Sequence, residues 1–233
     1  MAKRIDIKGQ IVNSSDGWIY DWLGIENCNP QKVIAALQEA NGEDIEVYIN
    51  SPGGSVPAGS EIYTELRNYS GKKLIRITGM AASAASVIAE AGESEISPTG
   101  MIMIHNVQTR VSGDYHDMDN TGDALRAANQ SIINAYVDKT GMSREELQEL
   151  MDRETYMSAQ QAVEYGFIDR IMFSDGIPSL VNGLPGTIPE KTIEKLRNLI
   201  KDPDQSNTDF LMKKSIASAR LRLVNLKGDR NND

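Results

Sequence analysis

The stretch from Leu74 to His105 constrains this chain more than any other part of its sequence. It begins with the apolar run L-I-R-I-T, which predicts a short strand, and a turn is expected at Gly79. An alanine-rich run then carries Ser83, and a second apolar run, M-I-M-I-H, ends on the histidine. A serine at a strand-to-helix turn and a histidine at a strand end can form a nucleophile and its base. We therefore expect the remaining segments to be the scaffold that brings these two side chains together.

Strands and helices alternate on either side of this stretch. Apolar alternation predicts strands at residues 4–12, 45–49 and 74–78. Helices are predicted between them, at residues 30–40 behind the N-cap residue Asn29 and at residues 56–69. Residues 18–22 are expected to be short extended structure. This order requires right-handed crossovers and a mostly parallel sheet, so the predicted fold class is α/β.

The second half of the sequence continues the same alternation. The pattern predicts extended residues at 95–97, a buried strand at 101–105, an irregular polar segment at 107–120, a long helix at 121–140 and a last strand at 167–173. Two capping boxes, Ser143-x-x-Glu146 and Ser158-x-x-Gln161, open short helices that end near Met151 and Tyr165.

Composition limits the classes of function. The net charge of −9 argues against a general affinity for nucleic acid or for an anionic membrane, because both require a basic surface. A single cysteine, Cys28, permits no internal disulfide and fits a reducing compartment. The first residues lack a signal-peptide pattern, and no apolar run is long enough to span a membrane. The expectation is a soluble, cytoplasmic protein.

A change in composition divides the chain. Residues 176–189 are rich in proline and glycine. From Ser174 onward there are eight acidic and ten basic residues, which leaves a net charge of −11 on the residues before it. We expect one domain at residues 1–173 and a linker with a helical extension at residues 174–233, with helix candidates at 189–200 and 209–226.

Ser83, His105 and a glycine pair are the residues that could carry chemistry. A serine at the first turn of a helix lies beside free backbone N–H groups, but it can equally bond a backbone carbonyl inside a helix of small residues. His105 can be a general base or a half-buried structural residue. Gly53-Gly54 follows a strand and can be a tight turn, a phosphate-binding loop or an oxyanion donor, although it lacks the spacings of nucleotide-binding motifs.

Two other sequence patterns concern a hydrolase motif and a candidate metal site. Ala81-Ala82-Ser83-Ala84-Ala85 is not the G-x-S-x-G sequence that serine hydrolases of the α/β-hydrolase fold require. His116 lies among Asp114, Asp117 and Asp119 and could bind a metal, but carboxylates clustered in this way more often form a solvated loop.

Four segments together resemble the ClpP family of serine peptidases. They are Y-I-N-S-P-G-G-S-V at 48–56, G-M-A-A-S-A-A-S at 79–86, M-I-H-N at 103–106 and M-S-A-Q-Q-A-V-E-Y-G-F-I-D at 157–169. Their order and approximate spacing are also those of the family, and the resemblance covers residues 5–173. It implies a ClpP/crotonase-like fold of repeated β-β-α units, with a protruding strand-and-helix handle at residues 107–140.

The resemblance assigns roles to individual residues. It places the catalytic serine on Ser83, the histidine on His105 and the oxyanion-hole N–H groups on Gly54 and Ala84. The third member of the triad in the family is an aspartate, and ungapped placement puts Glu154 there. Asp152 is the nearby alternative if the loop shifts.

The resemblance also implies partners. Family members form two stacked heptameric rings joined by their handles, cleave unfolded polypeptides, need no metal or other cofactor, and use ATP only through a partner unfoldase. This sequence begins almost at its first strand and adds a 60-residue extension. Those features and A-A-S-A-A-S-V-I-A are more similar to ClpP-type proteases of bacteriophages and prophages, which trim capsid and scaffold proteins. On that interpretation the extension packs within the assembly or binds scaffold protein.

Several functions therefore compete. The leading one is a serine endopeptidase of ClpP type that acts as a prohead maturation protease. The alternatives are a housekeeping-type proteolytic subunit working with an ATPase, a crotonase-fold enzyme acting on acyl-CoA thioesters, and an assembly subunit whose triad is no longer used. The glutamate in place of aspartate makes the last of these plausible.

Overall fold

The computed structural model describes residues 2–174. Eight strands and seven helices alternate along this part of the chain. The strands are β1 (Lys3–Ile11), β2 (Asn27–Cys28), β3 (Ile45–Gly54), β4 (Lys73–Ala82), β5 (Glu93–Ile96), β6 (Met101–Ile104), β7 (Thr155–Ser158) and β8 (Arg170–Ile171). The helices are α1 (Gly17–Trp22), α2 (Pro30–Ala40), α3 (Val56–Asn68), α4 (Ala84–Ala89), α5 (Tyr115–Thr140), α6 (Arg144–Asp152) and α7 (Ala159–Glu164).

The strands form one mostly parallel sheet in the order β2-β1-β3-β4-β5-β8. β4 is the branch point of this sheet, since its first half pairs with β5 and its last three residues pair with β6. β7 then adds to β6 and is antiparallel to it. The fold is therefore the mixed α/β class that the alternation of elements predicted.

The two faces of the central strands differ in polarity. Alternate side chains such as Ile7, Ile49 and Ile77 are completely buried in the core, where α2, α3 and α4 pack. Residues between them carry charge, and Arg76 bridges Glu46 and Glu95 at 3.3 and 3.1 Å. Since neighbouring side chains of a strand point to opposite faces, this period of two separates the core from a polar face.

The capping residues in the sequence predicted the starts of α2, α6 and α7 correctly. The Asn29 side chain accepts from Lys32 N–H at the start of α2, and Asn41 ends that helix in the left-handed conformation. Both predicted capping boxes are formed, at Ser143 and at Ser158. These signals act over three or four residues, so they need no tertiary information.

Other predictions from the sequence were wrong, because strand pairing determined the structure of those segments. Residues 18–22 are helical rather than extended, since β2 takes the edge beside β1 that an extended segment would need. Gly79 lies inside β4 and not in a turn, because β4 continues to Ala82 where it pairs with β6. The last strand shrinks to Arg170–Ile171, the only residues opposite β5. β2 and β7 were not predicted.

The handle also differs from expectation. Helix α5 begins at Tyr115 rather than at residue 121, because Asp114 and Asp117 form a capping box at its start. The strand of the handle is not formed: residues 105–114 are irregular, and both edges of the preceding strand β6 are already occupied by β4 and β7. The protruding part of the described chain is therefore helical.

Within residues 2–174, none of the helices combines the length and apolarity that crossing a membrane would take. The expected domain boundary at 176–189 and the helix candidates at 189–200 and 209–226 lie outside the described residues.

Candidate active site

The topology brings three strand ends together. Strands β3, β4 and β6 are neighbours and parallel, so their carboxyl ends lie at one edge of the sheet. Gly53-Gly54 ends β3, Ser83 follows β4 and His105 follows β6. Ala82 is opposite Met103 in the register, and Ser83 N–H donates to Met103 O at 2.9 Å. Sites in parallel sheets collect at this edge, and here the candidate residues meet there.

Ser83 and His105 are in hydrogen-bond contact. The Ser83 Oγ and His105 Nε2 atoms are 2.8 Å apart. Ser83 has φ 55° and ψ −125°, a backbone conformation that a non-glycine residue rarely adopts. Two bonds from Ser86 to the Ser83 carbonyl help to hold it, from N–H at 2.9 Å and from Oγ at 2.6 Å. Strain that neighbouring bonds maintain is typical of functional positions.

The glycine pair permits a close approach to this serine. A Cβ atom at Gly53 would lie 2.7 Å from the Ser83 Cβ and 2.5 Å from the Ala82 carbonyl oxygen. A Cβ atom at Gly54 would lie 2.0 Å from the Ile11 carbonyl oxygen. Both glycines also have positive φ, at 93° and 149°. A side chain at either position would force β3 away from its neighbours, so the chain requires glycine here.

A cavity of about 270 Å³ opens beside the serine. Gly54, Ala84, Ser83 and His105 all border it. The apolar side chains of its remaining wall include Val56, Val87, Met103, Ile132 and Tyr136. An apolar cavity with a few polar groups at one end is the usual form of a substrate site.

Ser86 is a structural residue that packs behind the cavity. It is completely buried, and its Oγ lies 2.8 Å from the Tyr136 hydroxyl. Burial raises the pKa of Tyr136 well above that of a free phenol, so the hydroxyl keeps its proton at neutral pH. The pair ties α4 to α5 behind the cavity.

Neither acidic candidate touches the histidine. Asp152 Oδ1 accepts from Asn106 Nδ2 at 2.8 Å and from Gln148 Nε2 at 2.7 Å, and these bonds lower the pKa of its carboxyl. Glu154 accepts from the Tyr156 hydroxyl at 3.1 Å, which raises the pKa of that phenol. The His105 Nδ1 atom is buried and has no hydrogen-bond partner among residues 2–174.

The β6–β7 register distinguishes the two acids. Ile104 is opposite Thr155, and Met103 is opposite Tyr156. Continuing this ladder by one step would pair His105 with Glu154, which lies in the turn just before β7. Side chains directly opposite in an antiparallel pair have Cβ atoms roughly 5 Å apart, which a glutamate side chain can span. Asp152 lies two residues further along the chain and is held by α6.

A cluster of polar side chains beside His105 was not predicted from the sequence. Asn106 Oδ1 accepts from Asn129 Nδ2 at 2.8 Å and from Gln148 Nε2 at 3.0 Å. Asn129 Oδ1 in turn accepts from Val107 N–H at 2.8 Å. The amides come from three distant segments, so only the position of Asn106 directly after the histidine could have suggested a role.

The other histidine lies elsewhere. His116 is exposed in the first turn of α5, where its N–H donates to the Asp114 carboxylate. Across the part of the chain that the structure describes, no group of three or more histidine, cysteine or acidic residues is arranged to hold a metal.

Comparisons with known proteins agree with this geometry. The family model described as Clp protease matches residues 24–175. The ATP-dependent Clp protease proteolytic subunit 1 of Chlamydia muridarum is 37% identical over 138 residues, which cover 57% of this chain and 72% of the relative. The ATP-dependent Clp protease proteolytic subunit of Bacteroides fragilis strain ATCC 25285 is 37% identical over 134 residues, covering 56% and 65%. The chain therefore belongs to the Clp protease family and is a serine-type endopeptidase with a ClpP-like fold.

Proposed function

We propose that Ser83 is the nucleophile of this peptidase and His105 its general base. The contact of 2.8 Å between Ser83 Oγ and His105 Nε2, at the wall of the cavity, is the observation that carries this assignment. Ser83 attacks the carbonyl carbon of the peptide bond while His105 takes the hydroxyl proton. The histidine then gives that proton to the leaving amine. Water attacks the acyl-enzyme in the same way, with His105 as the base, and releases Ser83.

Glu154 is the proposed third member of the triad. For Nε2 to accept the serine proton, Nδ1 must carry its own proton, and a buried N–H without an acceptor is costly. Glu154 immediately precedes Thr155, the partner of Ile104 in the β6–β7 ladder, which supports this role, and rotation of its side chain away from Tyr156 would supply that acceptor. Asp152 is the weaker alternative, because Asn106 and Gln148 already hold its carboxylate.

The N–H groups of Gly54 and Ala84 are the proposed oxyanion donors. Both residues border the cavity beside Ser83. Ala84 is the first residue of α4, so its N–H has no acceptor within the helix. Backbone donors fixed in this way stabilise the negative charge that develops on the carbonyl oxygen during attack.

A fluorophosphonate probe tests the nucleophile directly. The probe is expected to label Ser83, and labelling should disappear in Ser83→Ala and fall strongly in His105→Ala. Ser70→Ala and His116→Ala change an exposed serine and an exposed histidine and serve as matched controls. Peptide mass spectrometry identifies the labelled residue. Labelling that survives Ser83→Ala, or none in the assembled wild-type protein, would contradict the assignment.

For the biological role, we propose maturation of a phage or prophage capsid. The alanine-rich sequence around Ser83 and the extension beyond Ser174 support this role, because both are similar to those of phage ClpP-type proteases. The substrates would be capsid or scaffold proteins cut at a few positions. Co-expression with such proteins should give discrete fragments with the wild-type protein and none with Ser83→Ala.

A second candidate role follows from the relatives. The similar proteins of Chlamydia muridarum and Bacteroides fragilis are named ATP-dependent proteolytic subunits. On that role, a partner unfoldase and ATP would be needed to degrade a folded substrate to short peptides. Degradation of a folded test protein only with ATP and an unfoldase would favour this role, whereas discrete cleavage of capsid protein without ATP would favour maturation.

A further inference from the structure

The two residues after His105 are held by a cluster of amide side chains. Strand β6 ends at Ile104, and residues 105–114 have no regular structure, so no sheet or helix bonds fix the histidine from its C-terminal side. The cluster lies at this point. Whatever holds Asn106 and Val107 also limits how far the His105 backbone can move.

Asn129 on α5 makes two of these contacts with a single side chain. Its Oδ1 atom accepts from Val107 N–H at 2.8 Å, and its Nδ2 atom donates to Asn106 Oδ1 at 2.8 Å. Both atoms of the Asn129 amide are therefore directed at consecutive residues of the segment that follows the histidine. A hydrophobic residue of similar size could fill the same space but could make neither bond.

Helix α6 completes the cluster. Gln148 Nε2 donates to Asn106 Oδ1 at 3.0 Å and to Asp152 Oδ1 at 2.7 Å, and Asn106 Nδ2 donates to the same Asp152 oxygen at 2.8 Å. Asn106 thus accepts twice and donates once. Asp152 lies two residues before Glu154, so the cluster links the segment after His105 to the loop that carries the proposed third triad member.

We propose that Asn129 is a positioning residue that fixes the His105 imidazole through Asn106 and Val107. This inference rests on the proposed roles of Ser83 and His105. Asn129 touches no reacting atom; it acts by restricting the backbone that carries the base. A base displaced by about 1 Å can lose on the order of a hundredfold in rate, because proton transfer depends steeply on geometry.

Three variants test the proposal. Asn129→Leu removes both hydrogen bonds and keeps a similar volume. Asn129→Asp keeps an oxygen that accepts from Val107 N–H and loses the donation to Asn106. Asn134→Ala is the matched control, since Asn134 also lies on α5 and accepts from Arg144 on α6, but makes no contact with the segment after His105.

The first readout is the rate at which a fluorophosphonate labels Ser83, measured across pH. Asn129→Leu is expected to lower this rate roughly ten- to a hundredfold, with Asn129→Asp between it and the wild type and Asn134→Ala unchanged. The assembly state and melting temperature are measured in parallel. In a variant that still folds, a loss of rate that merely follows a loss of assembly would overturn the proposal.

The second readout needs no catalysis. Diethyl pyrocarbonate modifies neutral, accessible imidazoles, and the chain has only two histidines. In the wild type His105 should react slowly, because Nε2 contacts Ser83 and Nδ1 is buried, while exposed His116 serves as the internal reference. Asn129→Leu should raise the ratio of His105 to His116 modification several-fold, and Asn134→Ala should not.

Fluorophosphonate labelling and diethyl pyrocarbonate modification together separate the proposed catalytic roles of Ser83 and His105 from the proposed positioning role of Asn129. If the wild-type protein is not labelled by the fluorophosphonate, the proposed function fails, but the modification ratio still tests whether Asn129 holds His105. If the wild type is labelled and Asn129→Leu matches Asn134→Ala in both measurements, the positioning role is wrong. If Asn129→Leu does not fold, Asn129→Asp decides: behaviour identical to the wild type in both readouts would contradict the proposal.

Discussion

At the scale of single residues, the site combines a strained serine with an incomplete triad. Ser83 adopts positive φ although it is not glycine, and the hydrogen bonds from Ser86 to its carbonyl and from its N–H to the Met103 carbonyl maintain that conformation. His105 lacks an acceptor for Nδ1 in the described residues. Glu154 also has positive φ, at 50°, and its carboxylate contacts Tyr156 instead. If Glu154 is the third member of the triad, as we propose, its side chain must rotate away from Tyr156 to reach His105.

Substitutions of Glu154 and Tyr156 test this rotation. Glu154→Gln should lower kcat by about a hundred- to ten-thousandfold with little change in KM, because an amide can stabilise neither the correct tautomer nor the imidazolium. Tyr156→Phe should raise kcat, since it removes the competing hydrogen bond from the carboxylate. Asp152→Asn is the control for the alternative acid. Steady-state peptidase kinetics measure all three, and a greater loss in Asp152→Asn than in Glu154→Gln would reverse the assignment.

Glu90 is a second unusual residue, at the end of α4. It is 1% exposed, and neither of its carboxyl oxygens has a hydrogen-bond partner within residues 2–174. Burial raises its pKa well above the ordinary value, Lys139 opposes this shift and Asp169 adds to it. The neutral acid is therefore favoured in the folded state. An unsatisfied buried polar group of this kind costs roughly 1–3 kcal/mol.

The raised pKa of the buried Glu90 carboxyl predicts that the stability of the protein depends on pH. A carboxyl whose pKa is higher in the folded state contributes stability fully below its unfolded pKa of about 4.5, and this contribution is lost as the pH rises. Glu90→Gln removes the titration. We expect Glu90→Gln to be stabilised relative to the wild type by an amount that grows from pH 4 to pH 8. Denaturant melts at several pH values measure this difference, and a constant difference would contradict it.

At the scale of elements, β4 and its neighbours build the site. β4 pairs with β5 along its first half and with β6 at its end, so the serine and the histidine follow adjacent parallel strands. β3 supplies the glycine pair beside them. The closeness of the β3 and β4 ends depends on the missing side chain at Gly53.

Gly53→Ala tests this close approach. The added methyl group would lie 2.5 Å from the Ala82 carbonyl oxygen and 2.7 Å from the Ser83 Cβ, and the residue has φ 93°. We expect a loss of stability of about 2 kcal/mol or more and a loss of Ser83 labelling that exceeds the loss of folded protein. Gly24→Ala is a matched control, because Gly24 has φ 68° but open space around it. Equal labelling in the two folded variants would contradict the prediction.

At the scale of the whole molecule, α5 begins with a stretch that contributes no side chain to the core. Residues 115–131 of this helix include none that is buried, whereas Ile132, Ile133, Ala135 and Tyr136 pack into the core. Tyr115 and Met118 are exposed apolar side chains in that first part. Rings joined through this helix, as proposed from the family resemblance, would cover them.

Assembly through α5 can be tested by placing charge on its exposed apolar side chains. Tyr115→Asp combined with Met118→Asp should weaken assembly and leave the melting temperature of the single chain nearly unchanged, because neither side chain contributes to the core. Asp119→Asn and Asp123→Asn are controls on the same helix. Sedimentation velocity measures the assembly, and an unchanged distribution in the double variant would exclude this surface as the contact.

The sequence by itself predicted the class of fold and the proximity of Ser83 and His105, and the structure confirms both. Alternation of apolar residues fixed the strands and capping residues fixed the helix starts, because both act over a few residues. Only the tertiary structure decided where the elements are paired: the extension of β4 past Gly79, the pairing of β6 with β7, and the irregular segment after His105. The tertiary structure also gathers Asn106, Asn129 and Gln148 from three segments. Hydrogen bonds between residues far apart in the chain leave no local pattern, which is why Ser83 and His105 could be predicted and the residues that hold them could not.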